Sequence, residues 1–479
     1  MLKRFFRDSA VYSLSTIVSR GISLLLVPLY TRVLAPGDYG TIDILTILGN
    51  LINLTIALEV SQGLARYFGE KKDGEAGIEY ASTALLFTLF VYTLFLVAGL
   101  GFIRPFTSLV LGTGGSTRVM TVAVLSMWGN GVFYLVQNQL RWRLEPKKHA
   151  ISSVAFTGVS VGLAVLLIVV FDTGVIGVFY GKLAGYTVGC ITALIFARSS
   201  YRPRFSISCL KRMLGFSLPL VPSSVAVFVA MYIDRIAIRT LLDLGEVGVY
   251  GIGYRFSSIV SLVMVGFGGA MMPLVYSSYR RRETPGEIAR IFRYFLSIII
   301  PLILFLSVFS REIIVIFTTE GYYQAASVIP LLTAAIVFSN MYIFAPGLSI
   351  RKMTKYIALL NGAAAGINTL LNFLLIPVLG IRGAGLATLL SAALAFTGHM
   401  ILSQKFYPVP HRWPPILIAA SIGFIVVFTG SGPLAAGPLS LFLRIPLFLI
   451  GSFIIILILI GAGNLRRILG DLFSKREDT

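Results

Sequence analysis

Runs of about 20 apolar residues, the length a helix needs to cross a bilayer, recur from one end of this chain to the other. They fall at 9–30, 41–60, 80–103, 118–140, 150–171, 174–197, 213–240, 247–272, 291–310, 325–349, 356–379, 382–403, 415–430 and 441–462. Inside lipid a backbone must satisfy its own polar groups, so such runs read as helices. Fourteen of them in 479 residues leave only short connections, and 56% apolar against 13% charged residues leaves no stretch for a soluble domain. The expected fold is an all-α polytopic membrane protein with 14 transmembrane helices. The first run reads as a retained helix: it is longer than a signal-peptide apolar region, and the residues after it offer no small-residue cleavage site.

The net charge of +20 would suggest a nucleic-acid partner in a soluble domain, but here the basic residues sit in the connections. Of the 40 Lys and Arg, 29 fall on one set of alternating connections and six on the other. Basic residues are retained on the cytoplasmic side, so the chain is expected in a cell membrane with both termini cytoplasmic, and nucleic acid is not an expected partner. Two cysteines, Cys190 and Cys209, make neither a disulfide framework nor a metal-ligand pattern. No phosphate-binding G-x-x-x-x-G-K-[ST] loop is present. No cofactor is called for.

Two local matches at nearly one offset point to an internal duplication. Leu34-Ala-Pro-Gly-Asp-Tyr-Gly40 corresponds to Leu242-Asp-Leu-Gly-Glu-Val-Gly248, and Gly174-Val-Ile-Gly177 to Gly380-Ile-Arg-Gly383. Helix-ending turns explain the glycines but not the common offset. The chain then divides into six-helix lobes at 1–205 and 206–410, with helices 13 and 14 and a tail at 411–479. An even number of helices per copy gives both lobes the same orientation.

The stretch Tyr30-Thr-Arg-Val-Leu-Ala-Pro-Gly-Asp-Tyr-Gly-Thr-Ile-Asp43 resembles the T-R-x-L-x-P-x-D-Y-G segment carried after the first helix by the polysaccharide biosynthesis branch of the multidrug/oligosaccharidyl-lipid/polysaccharide (MOP) exporter superfamily, which includes the Wzx-type flippases. The layout of two lobes plus an extra helix pair is similar too. The resemblance implies a V-shaped, MATE-like pair of lobes around a cavity that opens to either side in turn. It also implies a cargo of oligosaccharide joined through pyrophosphate to a polyprenyl lipid. A coupling ion (Na+ or H+) and other polysaccharide assembly proteins are the further partners it suggests.

Five basic residues remain inside the runs: Arg20, Lys182, Arg235, Arg239 and Arg255. A charge at mid-bilayer costs about 2.5–3.5 kcal/mol on insertion scales, so such residues face a partner or a wet cavity. Arg20 lies roughly 16 Å into its helix at 1.5 Å per residue, and neither it nor Arg255 has an acid within four residues. Both are read as head-group ligands, since a guanidinium offers forked donors to phosphate and keeps its charge when desolvated. Lys182 admits either reading. Arg235 can instead pair with Asp234, and Arg239 can snorkel to the outer interface. Asp43 is a candidate partner for an arginine. In the related lipid II flippases, arginines from helices one and eight and an acid on helix two approach the lipid head group; Arg20, Arg255 and Asp43 lie on the matching helices. Glu59, near the inner end of helix two, reads as interfacial and solvated. Asn368 and Asn372 share a helix face and are weaker candidates for sugar hydroxyls.

Two alternatives stand beside a flippase. A multidrug or organic-cation antiporter of the same superfamily should carry cavity carboxylates, whereas basic residues dominate here. A polyprenyl-sugar glycosyltransferase or polymerase needs a sizeable outer loop or paired carboxylates, and neither is found. The chain is read as a non-enzyme.

Overall fold

The computed structural model describes residue 21 and residues 24–70, 75–431 and 440–461; the statements below concern these. They are helical throughout, with no strand among them. Ten helices are long and apolar enough to cross a membrane, or thirteen if each of three bent pairs counts as one span. The expected fourteenth, at 9–30, lies largely outside the described residues.

The chain forms two compact units, Met1–Gly248 and Val249–Thr479. In the first, α1 (Val27–Val33), α2 (Pro36–Thr55) and α3 (Val60–Glu70) are followed by α4 (Glu75–Gly101), α5 (Ile103–Leu111), α6 (Thr117–Trp142), α7 (Pro146–Val169), α8 (Val175–Ala197), α9 (Ile207–Ser217) and α10 (Val221–Leu241). Helix α11 (Leu244–Ser257) carries the boundary. The core packs Leu45 and Ile52 of α2 against Leu64, Ala84, Met120 and Met127. Helices α7 and α8 approach closely because Gly181 and Gly185 face Ser160, where a methyl group would lie 2.5–2.6 Å from its atoms; small residues at four-residue spacing permit this. The seventh span, α9 with α10, joins the first six by contact, although the duplication assigns it to the second copy.

The reason lies in the duplicated motif. A methyl group on Gly40 would sit 1.7 Å from the Leu244 carbonyl oxygen, and one on Gly248 2.1 Å from the Pro36 carbonyl oxygen. Positions 36 and 40 are the partners, at an offset of 208, of positions 244 and 248. The two motifs therefore meet each other reciprocally, as an isologous contact about a local two-fold axis requires. Each is shaped by its own acid: Asp38 accepts from the Ala35 N–H at 3.1 Å, and Asp243 from the Glu246 N–H at 2.9 Å. The other matched pair shares a backbone: Gly174 has φ 60° and ψ −143°, and Gly380 has φ 59° and ψ −141°, a region open essentially to glycine alone.

The second unit continues through α12 (Val260–Ser278), α13 (Thr284–Val308), α14 (Ser310–Phe317), α15 (Ile329–Asn340), α16 (Gly347–Ile350), α17 (Thr354–Leu379), α18 (Ile381–Phe406), α19 (Trp413–Ser431) and α20 (Ser440–Ile460). Phe292 and Phe295 of α13 both pack on Phe344 with ring centroids 4.9 Å apart. The last helix, α20, is fastened to α13 and α14 by Arg444. It is 2% exposed, donates to the Val308 carbonyl at 3.0 Å and forks onto both carboxylate oxygens of Glu312. Residue 444 falls near the start of the apolar run 441–462, and Glu312 makes its burial there tolerable by offering a bidentate partner.

Two predictions follow from these contacts. Gly40→Ala and Gly248→Ala should each destabilise the protein, by about 1–3 kcal/mol or more, because backbone atoms have to move; equal losses in thermal unfolding would match the reciprocal geometry. Glu312→Ala should cost about 3–5 kcal/mol by removing the carboxylate that answers a buried guanidinium, whereas the Glu312→Leu/Arg444→Leu pair should recover most of that loss in the same measurement.

Candidate functional site

Helix α2 carries polar residues at 43, 46, 50 and 53, a spacing that puts all four on one face. Leu45 and Ile52, on the other side of the helix, are buried in the core. The four are answered from three other helices, α4, α8 and α10. The Arg235 Nε of α10 donates to Asp43 Oδ2 at 3.0 Å, and its Nη1 lies 3.6 Å from Asp234 Oδ1. The Lys182 ammonium of α8 donates to Thr46 Oγ1 at 2.7 Å and sits 5.0 Å from the Phe179 ring centroid. Thr46 in turn donates to the Ile42 carbonyl. Asn50 donates to the Tyr232 hydroxyl at 3.3 Å, and Asn53 accepts from the Tyr92 hydroxyl at 2.6 Å.

Beside this stripe the first unit carries an open pocket of ≈ 410 Å³ lined by Asn50, Asn53, Tyr134, Ser224, Phe228 and Tyr232, among others. That is within the usual size of a small-ligand site. Asn50 also lines a smaller space of ≈ 30 Å³ that contains Thr46, Asn130 and Lys182. Basic, amide and phenolic groups are thus continuous along one helix face next to open volume, and that combination can bind a hydroxylated, anionic ligand.

The helix below the stripe is broken. Leu58 and Glu59 have φ of 50° and 54°, left-handed values unfavourable for branched or long side chains, and α3 leaves at 49° to α2. The break is held from outside by Ser217 Oγ, which donates to the Leu58 carbonyl at 2.8 Å, and by Ser224 Oγ, which donates to Glu59 Oε1 at 2.8 Å. Glu59 is 7% exposed, which corrects the expectation of a solvated interfacial carboxylate: the bend turns it inward.

The structure brings Asp43, Arg235 and Lys182 onto neighbouring turns of one face. Arg239 lies elsewhere, half-buried at the end of α10 against the turn at Gly112. Arg255 is half-buried on α11 in the second unit, and Arg20 lies outside the described residues. Asn368 and Asn372 are buried in α17, where the Asn372 amide donates to the Asn368 side chain and to its carbonyl. Thr46, Asn50, Asn53 and the burial of Glu59 were not singled out in the sequence; the 3-4-3 polar spacing was the available signal for the first three. Among the described residues no three His, Cys, Asp or Glu side chains gather as a metal cluster.

A family model described as polysaccharide biosynthesis protein matches residues 29–327. The succinoglycan biosynthesis transport protein ExoT of Rhizobium meliloti (strain 1021) is 24% identical over 268 residues, covering 54% of this chain and 50% of that protein; the match thus spans about half the length of that relative. The Lsg locus putative protein 1 of Haemophilus influenzae is 20% identical over 294 residues, 58% of this chain and 68% of the relative. The fold is similar to that of the lipid II flippase MurJ in an inward closed conformation, with TM-score 0.70 and 16% identity over 94% of this chain and 98% of that one. It is also similar to an inward-facing multidrug resistance MATE family transporter of the MOP superfamily, with TM-score 0.61 and 16% identity over 80% and 93% of the two chains. At these identities the structural likeness concerns the fold.

Removal of the carboxylate facing Arg235 should be costly, since both side chains are largely buried. Asp43→Ala should lower stability by about 3 kcal/mol and Asp43→Asn by less, because the amide keeps one acceptor for the guanidinium. Denaturant or thermal unfolding in detergent measures the difference.

Proposed function

The chain belongs to the polysaccharide biosynthesis protein family, and on that premise we propose that it is a flippase that carries a polyprenyl-pyrophosphate-linked oligosaccharide from the cytoplasmic to the outer leaflet of the cell membrane by alternating access. Its termini are then cytoplasmic, as the basic connections require. The observation that carries this reading is the polar face of α2, where the Lys182 ammonium, hydrogen-bonded to the neutral Thr46, stands in line with amide and phenolic groups beside the ≈ 410 Å³ pocket. A pyrophosphate needs cationic donors to leave water. Sugar hydroxyls pair with Asn and Tyr side chains, and the prenyl tail stays in lipid. Arg20 and Arg255 complete the proposed head-group set, and Arg239, Asn368 and Asn372 remain secondary candidates.

Organic-cation antiport is the competing reading, favoured by the fold likeness to the MATE transporter. It calls for a carboxylate open to the ligand, while Asp43 is ion-paired with Arg235. A glycosyl-transferring enzyme has still less support, because paired acids at a free surface are not part of this site.

Reconstituted vesicles loaded with a lipid-pyrophosphate-linked sugar provide the test. Lys182→Met, Arg20→Ala and Arg255→Ala should each slow flipping on the order of ten- to a hundredfold, the loss of one charge-assisted hydrogen bond of about 1.5–3 kcal/mol, with unchanged unfolding temperature. Normal flipping by all three variants, or efflux of organic cations by the wild-type vesicles, would overturn the proposal.

A further inference from the structure

A carboxylate taken out of water needs a cation or a proton, and among the described residues Glu59 has no basic partner. Its one side-chain hydrogen bond among the described residues comes from the neutral Ser224 hydroxyl. Nor does the bend require an acid. In the second copy the corresponding break, between α11 and α12, bends by 48° around Ser257, Ser258 and Ser261, with no carboxylate in the break. Glu59 is therefore placed for something other than shaping the helix.

Two further oxygens stand next to it. Glu59, Ser61, Thr88, Asn53 and Tyr134 line one small void of ≈ 10 Å³, space for about one water-sized guest. Ser61 is 5% and Thr88 1% exposed, yet neither hydroxyl has a hydrogen-bond partner. Other hydroxyls in this unit behave differently: those of Thr31, Thr41, Thr55 and Thr107 all return to the carbonyl four residues back. Leaving two buried hydroxyls unanswered is costly, and both line the void that the acid enters.

We propose that this void is a sodium site. The Glu59 carboxylate supplies the charge, and Ser61 Oγ, Thr88 Oγ1 and Asn53 Oδ1 supply neutral oxygens, with the second lone pair of Asn53 Oδ1 free beside its bond from Tyr92. An all-oxygen set selects a hard cation. A single carboxylate balances one positive charge, and calcium or magnesium would ask for more acids or for retained waters that the void has no room for. A proton would neutralise Glu59 but would leave Ser61 and Thr88 unanswered. Because Ser224 of α10 is bonded to the same carboxylate, occupancy bears on the contact between the bent α2–α3 pair and the seventh span. The use of that contact to drive transport rests on the flippase reading; sodium binding itself does not.

Thermal unfolding of the full-length protein in detergent, in sodium chloride or choline chloride at fixed ionic strength, tests the site. Sodium should raise the unfolding temperature saturably and choline should not, as binding to the folded state alone requires. Glu59→Gln should abolish the response. Thr88→Val, which keeps the shape, should move half-saturation upward on the order of tenfold or more with the unfolding temperature in choline unchanged, and Asp172→Asn, on an exposed turn, should behave as wild type. A sodium response that survives both Glu59→Gln and Thr88→Val overturns the site, as does a wild-type protein that sodium stabilises no better than choline. Stabilisation that depends on pH and Glu59 but not on sodium overturns it in favour of a proton. Lost flipping with an intact sodium response counts against the cargo reading alone.

Discussion

A side chain that carries charge inside a bundle crossing hydrocarbon must be answered within hydrogen-bond reach, because the medium offers no water to do it. Helix α2 shows how the first unit meets that demand. Its polar face is distributed among partners from α4, α8 and α10, so the same contacts that make the polar groups tolerable also fix which helices surround the cavity. The apolar back of α2 sets its depth in the core, and the polar face sets its rotation. Tilting the helix would break several bonds together.

The reciprocal glycine contact adds a second constraint of a different kind. Gly40 and Gly248 bring two helix starts together at backbone distance, and no side chain can substitute for that approach. The seventh span consequently belongs to two groupings. The motif offset in the sequence would assign it to a second copy, whereas by packing it closes the first unit, where Arg235, Tyr232 and Ser224 reach α2 and the bend that follows it.

Much of this was readable in the amino-acid order, for reasons of length scale. The spans are set by local hydropathy, and runs such as 118–140 and 356–379 fall within the helices Thr117–Trp142 and Thr354–Leu379. The repeat was visible as an offset, whereas the meeting of its two motifs depends on how the chain returns. The break at Leu58–Glu59 was invisible: Ile-Ala-Leu-Glu-Val contains neither glycine nor proline, and the bend is imposed by Ser217 and Ser224, more than 150 residues away. The pairing of Asp43 with Arg235 spans 192 residues and leaves no local trace. Arg235 was legible as a basic residue inside an apolar run beside Asp234, and Asp43 as a partner for some arginine, but not their pairing with each other.

Glu59 shows why burial is the harder property to read. A glutamate near the end of an apolar run satisfies every local rule for an interfacial residue, since a straight helix would carry it to the head-group layer. The left-handed pair at Leu58 and Glu59 reverses that by redirecting the chain at the last turn. Each such residue costs on the order of 1–2 kcal/mol of backbone energy, and the carboxylate adds a desolvation cost that Ser224 offsets only in part. Strain and a buried acid at the same place are not demanded by the fold, because the second copy bends without the acid. The proposed cation would answer the carboxylate and the two unpartnered hydroxyls together, while the backbone cost of the left-handed pair is met by the packing around the bend.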